Sequence, residues 1–373
     1  MKISSFLVLY LIITNIYFSF CQNKDYSVFE HMFDYVKGLN KMKRIAVAGA
    51  DNLSSLITFR KLKDLGIADF ILIGPEERID KIASENNIDI SDFEIINKKN
   101  DAEIALHAAE LVKQRVADIY YKGGLNPIVV LKAIFEDELF RKNKLVSGLS
   151  IMDIPKLGRP IILTDAHVKA YPTINQKIEL INNAVQFAQS IGIKRPKVAI
   201  VAGIGNISRE MRETEDASRL TKLNDMGQIK GCDVEGPLAF DVAVDPYSKL
   251  LNYLPTRKIR GDADIILFHN FHHANIAYNL LLHTIKARSA TLLGGTRYPV
   301  VFASRSGTPE YKFDSIITAI FFSRCFSPIL LLTLSPCSFS NKYLRSLTDS
   351  NLSFTSFFVA SSTICLILKS SFA

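Results

Sequence analysis

Residues 44–74 read RIAVAGADNLSSLITFRKLKDLGIADFILIG, and this one stretch holds a complete strand–helix–strand unit. Residues 44–48 are a short apolar run that stops at the turn Gly49-Ala50-Asp51-Asn52. A helix is expected from there to about Leu65, closed by Gly66, and residues 70–73 form the next strand, stopped by Gly74-Pro75. Two strands joined by a helix of that length run parallel. The alternation continues outward. Helices are expected over 101–116 and 127–140, and strands over 119–121, 161–164, 197–202, 265–268 and 300–303. Ile174, Ile178, Ile181, Val185, Ala188 and Ile191 recur at three- and four-residue spacing, which marks the buried stripe of one long helix. No internal repeat is evident. The expected fold class is α/β: a largely parallel sheet covered by helices on both faces.

The chain has 373 residues, 48% of them apolar and 22% charged, enough for two or three domains with sizeable cores. Disordered, collagen-like and disulfide-dense classes are excluded. The five cysteines (Cys21, Cys232, Cys325, Cys337, Cys365) show neither regular spacing nor a C-x-x-C pair, so neither a disulfide framework nor a zinc site is expected. Net charge is +8, and about +5 remains on residues 22–324 once Lys2 and the last 49 residues are set aside. So mild an excess suits an enzyme of anionic substrates and requires no nucleic-acid partner.

Both ends differ from this body. Residues 6–20 form an apolar stretch behind Lys2, signal-like in pattern and short for a membrane span. The rival reading is that translation starts at Met32 or Met42. From Cys325 onward there are twelve serines and six phenylalanines but no glycine or glutamate, and residues 350–368 carry no charge. A weak anchor, a disordered tail and a reading-frame artefact compete there; the abrupt change inside a helical pattern favours the artefact. The expected division is a leader over 1–25, a first α/β domain from 26–165 with 295–324, a second over 166–294, and a tail over 325–373.

In open parallel sheets ligands sit at the carboxyl ends of the strands, so chemistry is sought in the turns that follow them. The first turn lacks G-x-G-x-x-G, and no Walker A pattern occurs anywhere, which counts against nicotinamide and nucleoside-triphosphate enzymes. The turn Ala303-Ser304-Arg305-Ser306-Gly307-Thr308-Pro309-Glu310 says more. Thr308 is a good N-cap, Pro309 suits the first helical position, and Glu310 complements the helix dipole. Free N–H groups, the Ser304 hydroxyl and the Arg305 fork would converge there on a phosphate or carboxylate. The plainer alternative is an ordinary capped helix with an exposed arginine. A second turn, Lys122-Gly123-Gly124-Leu125-Asn126-Pro127, repeats the logic with a lysine as the point charge.

Asp233, Glu235, Asp241, Asp262 and Asp264 suggest a metal site, but alternation along a strand puts Asp233 and Glu235 on one solvated face, so no metal is expected. His269, His272, His273 and His283 cluster without an H-E-x-x-H pattern and read as surface or helix-terminal residues. Cys232 reads as a small buried hydrophobe rather than a reactive thiol.

Taken in order, several segments resemble the phosphate acetyl/butyryltransferase family, its phosphate butyryltransferase branch most closely. They are Asp118-Ile-Tyr-Tyr-Lys-Gly123, Leu163-Thr-Asp-Ala166, Lys177 with Asn183-Ala184, Pro196-Lys-Val-Ala199, Met211 with Thr214-Glu-Asp-Ala217, Gly236-Pro-Leu-Ala-Phe-Asp241, Gly261-Asp-Ala-Asp264, Asn275, Ser304-Arg305, and Lys312 with Ser315-Ile316. The resemblance runs from about Lys41 to Ser323. It implies a two-domain architecture like that of isocitrate and isopropylmalate dehydrogenases, with a cleft between the domains. It also implies transfer of a short acyl group between coenzyme A and phosphate. Coenzyme A is then a substrate, no metal or resident cofactor is needed, the protein is cytoplasmic, no membrane is involved, and a homo-oligomer is expected.

Under that resemblance Ser304, Arg305 and Lys122 would hold the phosphate, and Ser304 would also donate to the developing oxyanion. Glu310, the carboxylate nearest the Ser-Arg turn, or Asp241 would take the thiol proton of coenzyme A. Gly123, Thr214, Asp216, Gly236, Pro237, Asn275 and Lys312 would bind substrate. The chain departs from the family pattern at Gly307 (Asp expected), Gly205 (Glu), Ser208-Arg209 (Asn-Pro), Ala274 (Gly), Asn279 (Lys) and Asn126 (Thr). These positions bear on catalytic competence and substrate range, so a degenerate acyl-CoA or acyl-phosphate binder stays open as an alternative. A metal-dependent dehydrogenase on the same fold is a third, disfavoured by the turn after the first strand.

Overall fold

The computed structural model describes residues 27–323 except 40, 137–139, 144, 250 and 252–256. The expected leader and Ser/Phe-rich tail lie outside the described residues. In chain order the elements are α1 (Val28–Lys37), β1 (Lys43–Ala48), α2 (Leu53–Asp64), β2 (Ala68–Gly74), α3 (Glu76–Glu85), β3 (Glu94–Asn97), α4 (Asp101–Lys113), β4 (Ile119–Lys122), α5 (Pro127–Phe135), β5 (Ser147–Asp153) and β6 (Pro160–Thr164). They continue with α6 (Ile174–Ser190), β7 (Lys197–Val201), α7 (Arg212–Asp225), β8 (Asp233–Leu238), α8 (Phe240–Val244), β9 (Ile265–Leu267), α9 (Phe271–Thr284), β10 (Arg288–Gly294), β11 (Val300–Val301) and α10 (Pro309–Ser323).

One sheet carries all eleven strands in the order β3-β2-β1-β4-β11-β10-β5-β6-β9-β7-β8. The run from β3 to β11 is parallel throughout, as is the run from β6 to β8. Between them β10 and β5 pair antiparallel with each other and with their outer neighbours. The expected parallel sheet is therefore present as two parallel sets joined through an antiparallel pair.

Burial follows the two sets. One hydrophobic cluster gathers Ala46, Ile71, Ala105, Ala109, Tyr120, Val130, Phe140 and Val300 under α4 and α5. A second gathers Met152, Leu163, Ala199, Leu238, Val242, Ile266, Ala274 and Tyr278. Each fully buried Ile, Leu or Val contributes about 1.5–3 kcal/mol. α10 is buried nearly all round, from Tyr311 to Phe322, and its buried polar side chains are partnered: Lys312 by Asn52 and Ser55, Asp314 by Arg288. It packs on α1, α2 and β10 and so anchors the turn that precedes it. The helix expected over 127–140 stops earlier, at Phe135, where Glu136 forms the C-cap.

Candidate active site

β1, β4 and β11 are adjacent and parallel, with Ala48 paired to Lys122 and Val301 to Tyr121. The turns that follow them therefore leave the same edge of the sheet, side by side. The first two interlock through their backbones: Gly123 N donates to Ala48 O at 2.9 Å and Gly124 N to Gly49 O at 2.7 Å. The third leads into α10, where Tyr311 N donates to Thr308 Oγ1 at 3.3 Å and Pro309 takes the first helical position, as the sequence leads one to expect.

Four basic and hydroxyl side chains meet at this edge. Lys122 is buried, its Nζ donating to the carbonyls of Gly123 and Ala303, both at 3.3 Å. Burial, then the nearby Arg305, pushes its ammonium down to about 8. Lys312 is also buried, and its Nζ donates to Asn52 Oδ1, Ser54 Oγ, Ser55 Oγ (3.0 Å) and Arg305 O (3.3 Å). Burial, then repulsion from Lys122, brings it too to about 8. Neutral oxygens hold both cations, so the site keeps unspent positive charge for an anion. Ser304 and Arg305 are exposed, and Ser304 Oγ lies 3.1 Å from Ser306 Oγ.

The structure thus gathers Lys122, Gly123, Ser304, Arg305 and Lys312. Glu310 stands exposed on the first turn of α10. The other residues belong to the second parallel set. Asp216 accepts from the buried Lys177 Nζ at 2.7 Å, and the same ammonium lies 2.8 Å from His269 Nδ1. Thr214 is buried, accepting from Ser208 N at 2.9 Å, while Asp241 is exposed and accepts from Ser248 Oγ at 2.6 Å. Gly236 and Pro237 lie in β8, where Gly236 O accepts from Thr221 Oγ1 at 3.0 Å. Asn275 Nδ2 donates to Ala166 O at 3.1 Å.

Two expectations need correction. Glu235 is not on a solvated face: it is buried, accepts from Ile259 N at 2.7 Å and faces Arg257. His269 does stand at a helix terminus, one residue before the Asn270 N-cap of α9, but it is not a surface residue: it is wedged half-buried beside Lys177 and Asp216, and burial, then the Lys177 charge, lowers its pKa. Asp233 pairs with Arg195, Asp262 with Lys197 Nζ, and Asp264 with Lys197 N. Among the described residues, no three His, Cys, Asp or Glu side chains converge as metal ligands would. Cys232 is buried and burial pushes its thiol up to about 11, so it is no thiolate nucleophile at neutral pH.

Sequence reading missed Asn52 and Ser54. Asn52 ends a turn searched only for a dinucleotide fingerprint, and Ser54 stands on the first turn of α2; a polar pair just beyond the carboxyl end of a strand was the available signal. Gly307, where the resemblance led to an expectation of Asp, has a physical reason in this chain: a Cβ there would lie 2.4 Å from Tyr311 Cδ1. The tyrosine ring fills the space.

Fold and site together define an α/β protein with a cluster of basic side chains at the carboxyl ends of adjacent parallel strands. Comparison narrows this class. The family described as phosphate acetyl/butaryl transferase matches residues 27–135 and 103–320, and the chain belongs to that family. It is 38% identical over 280 residues to phosphate butyryltransferase of Clostridium acetobutylicum, covering 75% of this chain and 93% of that one. The crystal structure of a branched-chain phosphotransacylase from Enterococcus faecalis V583 superposes with a TM-score of 0.67 at 26% identity, covering 76% of this chain and 99% of that one. A 4-hydroxythreonine-4-phosphate dehydrogenase from Klebsiella pneumoniae, at 12% identity and a TM-score of 0.50 over 76% of this chain and all of the other, shares the fold alone.

Proposed function

We propose that this chain transfers a short acyl group, butyryl or similar, between coenzyme A and inorganic phosphate: acyl-CoA + phosphate = acyl phosphate + CoA. One observation carries the reading. The exposed Arg305 fork stands beside the buried Lys122 ammonium at the meeting point of three strand-end turns, and neutral carbonyls hold that lysine. Such a cluster holds phosphate and neutralises its charge.

A phosphate oxygen attacks the thioester carbonyl, whose π pair moves onto oxygen. The pair returns as the C–S bond breaks, and the thiolate leaves with that bond's electrons. Ser304 donates to the transient oxyanion. In the reverse direction Glu310, on the first turn of α10, takes the thiol proton; Asp241 is the alternative from the second set of strands. General-base help of this kind is worth about 10²–10⁴ in rate. Coenzyme A serves as substrate, and no resident cofactor or metal takes part. The division into 26–165 with 295–324 and 166–294 matches the two hydrophobic clusters only in part: Met152 of β5 and Leu163 of β6 belong to the second cluster and Leu293 of β10 to the first. Among the described residues no helix is long and apolar enough to cross a membrane. The reaction belongs in the cytoplasm, where its substrates are, and we expect the chain to self-associate as its resemblance implies.

The test uses the full chain with butyryl-CoA and phosphate, following released thiol with a disulfide reagent. Phosphate-dependent release is expected. Coenzyme A binding without release would instead favour the degenerate binder that the changes at Gly205, Ser208 and Ala274 suggest. The pH profile is a second check. Both lysines ionise at about 8, so they are charged below that pH and must be reprotonated above it before phosphate binds. Expressed as phosphate dianion, whose own ionisation falls near neutrality, phosphate KM should be flat below pH 8 and climb above it by up to about tenfold per unit for each lysine. kcat at saturating phosphate should change less, because the bound anion holds the protons on. A phosphate KM unmoved well above pH 8 removes the lysines from the site.

A further inference from the structure

Three alternate carbonyls of the Ser-Arg turn are gripped by the start of α2. Arg305 O accepts from Asn52 Nδ2 at 3.2 Å, Gly307 O lies 3.0 Å from Ser54 Oγ, which shares its one proton with Asn52 Oδ1 at 2.9 Å, and Pro309 O lies 3.1 Å from Thr58 Oγ1, which shares its proton with Ser54 O at 2.7 Å. Lys312 sits at the centre of this grip. Its ammonium has three protons for four acceptors, two of which (Asn52 Oδ1 and Ser54 Oγ) belong to the gripping side chains and a third of which is the Arg305 carbonyl. The side chain is 1% exposed. Nothing remains of its donors for a ligand. Lys122 differs, because its two carbonyl contacts are long and its ammonium otherwise faces only the Phe302 ring, 5.6 Å to the centroid, which leaves one proton without a hydrogen-bond acceptor.

We propose that Lys312 is a positioning residue: locked against Asn52 and Ser54, it fixes the Arg305 backbone and so aims the guanidinium at phosphate, while Lys122 is the lysine that meets the anion. The inference rests on the reading of Arg305 as the phosphate-binding group. It divides two lysines that have the same burial and the same depressed ionisation into different roles. It also explains why the turn after β1, which lacks any nucleotide fingerprint, carries Asn and Ser: they hold the neighbouring turn rather than a ligand.

A double-mutant cycle in the full chain tests it. Lys312→Met is made alone and on Arg305→Ala, and Lys122→Met likewise. Phosphate KM is read from thiol release, and phosphate binding from the rise in melting temperature that inorganic phosphate produces. Lys312→Met alone should raise phosphate KM by about 10- to 100-fold, the scale of a misplaced binding group. On Arg305→Ala it should add nothing further, because the group it aims is gone. Lys122→Met should still raise phosphate KM further on the Arg305→Ala background, though not additively, because the two side chains meet the same anion and Arg305 depresses Lys122. Equal effects of Lys312→Met with and without Arg305 overturn the proposal and make Lys312 a direct ligand. Where Lys312→Met does not fold, Asn52→Ala removes another donor to the same carbonyl and runs the same cycle. Absence of thiol release with an intact phosphate-induced shift overturns the proposed reaction but leaves the cycle readable. No phosphate-induced shift in the unmodified chain overturns both.

Discussion

Arg305→Ala should lower kcat/KM for phosphate by about 10²–10³, some 3–4 kcal/mol of transition-state stabilisation, with little loss of stability. The separation follows from which atoms of Arg305 do what. Its carbonyl holds the turn, accepting from Asn52 Nδ2 and Lys312 Nζ, and survives the substitution. Its side chain is exposed, so truncation opens no cavity. A secondary effect has a definite sign. Arg305 is one of the causes that depress Lys122, so its removal lets the Lys122 ammonium keep its proton to higher pH. The alkaline rise in phosphate KM should therefore shift upward in the variant even as the KM itself increases. Arg305→Lys should recover part of the loss, since it restores charge but not the planar fork. Initial-rate measurements across phosphate concentration and pH check all three outcomes. A phosphate KM equal to that of the unmodified chain would falsify the placement of Arg305 at the substrate.

Much of the fold was legible because the strands inside each parallel set announce themselves, whereas the edge strand β3 does not. β1, β2, β4, β7 and β9 are short apolar runs ended by turn residues, and the expected spans fall within a few residues of the observed ones. The central strands were not. β5 (SGLSIMD) and β10 (RSATLLG) carry Gly, Ser and Thr where a fully buried strand usually carries Val and Ile. Those polar groups are buried and mutually satisfied. Ser147 Oγ accepts from Asn183 Nδ2 at 2.9 Å, Ser150 Oγ lies 3.0 Å from Thr291 Oγ1 and 2.6 Å from His167 Nε2, and Thr291 N donates to Ser315 Oγ at 3.2 Å. Burial pushes His167 down to about 4, so it stays neutral inside this network. A hydrogen-bonded core of this kind leaves no hydrophobic period to read. α7 was missed for a related reason: only Thr214, Ala217 and Leu220 of its fourteen residues are buried.

The site divides in the same way. Ser304, Arg305 and Lys122 could be picked out because strand, turn and Pro-initiated helix leave few other reasons for a cation at that point. Lys312 came only from the resemblance, which offered it as a substrate ligand. Asn52, in sequence only the last residue of the turn after β1, is an ordinary N-cap, accepting from Ser55 N at 3.1 Å. That the same oxygen also takes a buried ammonium from residue 312 depends on the packing of α10 against α2, which no local pattern encodes.

The turn that carries Lys122 makes the other large effect expected, on stability and activity together. A Cβ placed on Gly123 would lie 1.9 Å from Gly49 O, 2.8 Å from Gly49 C and 3.0 Å from Ala48 O. All three are backbone atoms of the neighbouring strand and its turn, and none can rotate away. Accommodating Gly123→Ala requires β1 and β4 to part where Ala48 pairs with Lys122, which breaks the Gly123 N to Ala48 O and Gly124 N to Gly49 O hydrogen bonds. A loss of about 4 kcal/mol is expected, near the upper end for single substitutions. Thermal melting should register it as a fall of some 8–16 °C. Activity should fall further than stability, because the same parting displaces Lys122 on one turn and Asn52 on the other. Gly124→Ala is the control. Its nearest neighbour is Asp51 Oδ1 at 3.1 Å, the end of a side chain that can swing aside. That variant should melt within about 1–2 kcal/mol of the unmodified chain and keep most of its phosphate affinity. If the two alanines behave alike, the contact between the β1 and β4 turns does not set the geometry of the phosphate cluster, and Lys122 must be held by its own burial instead.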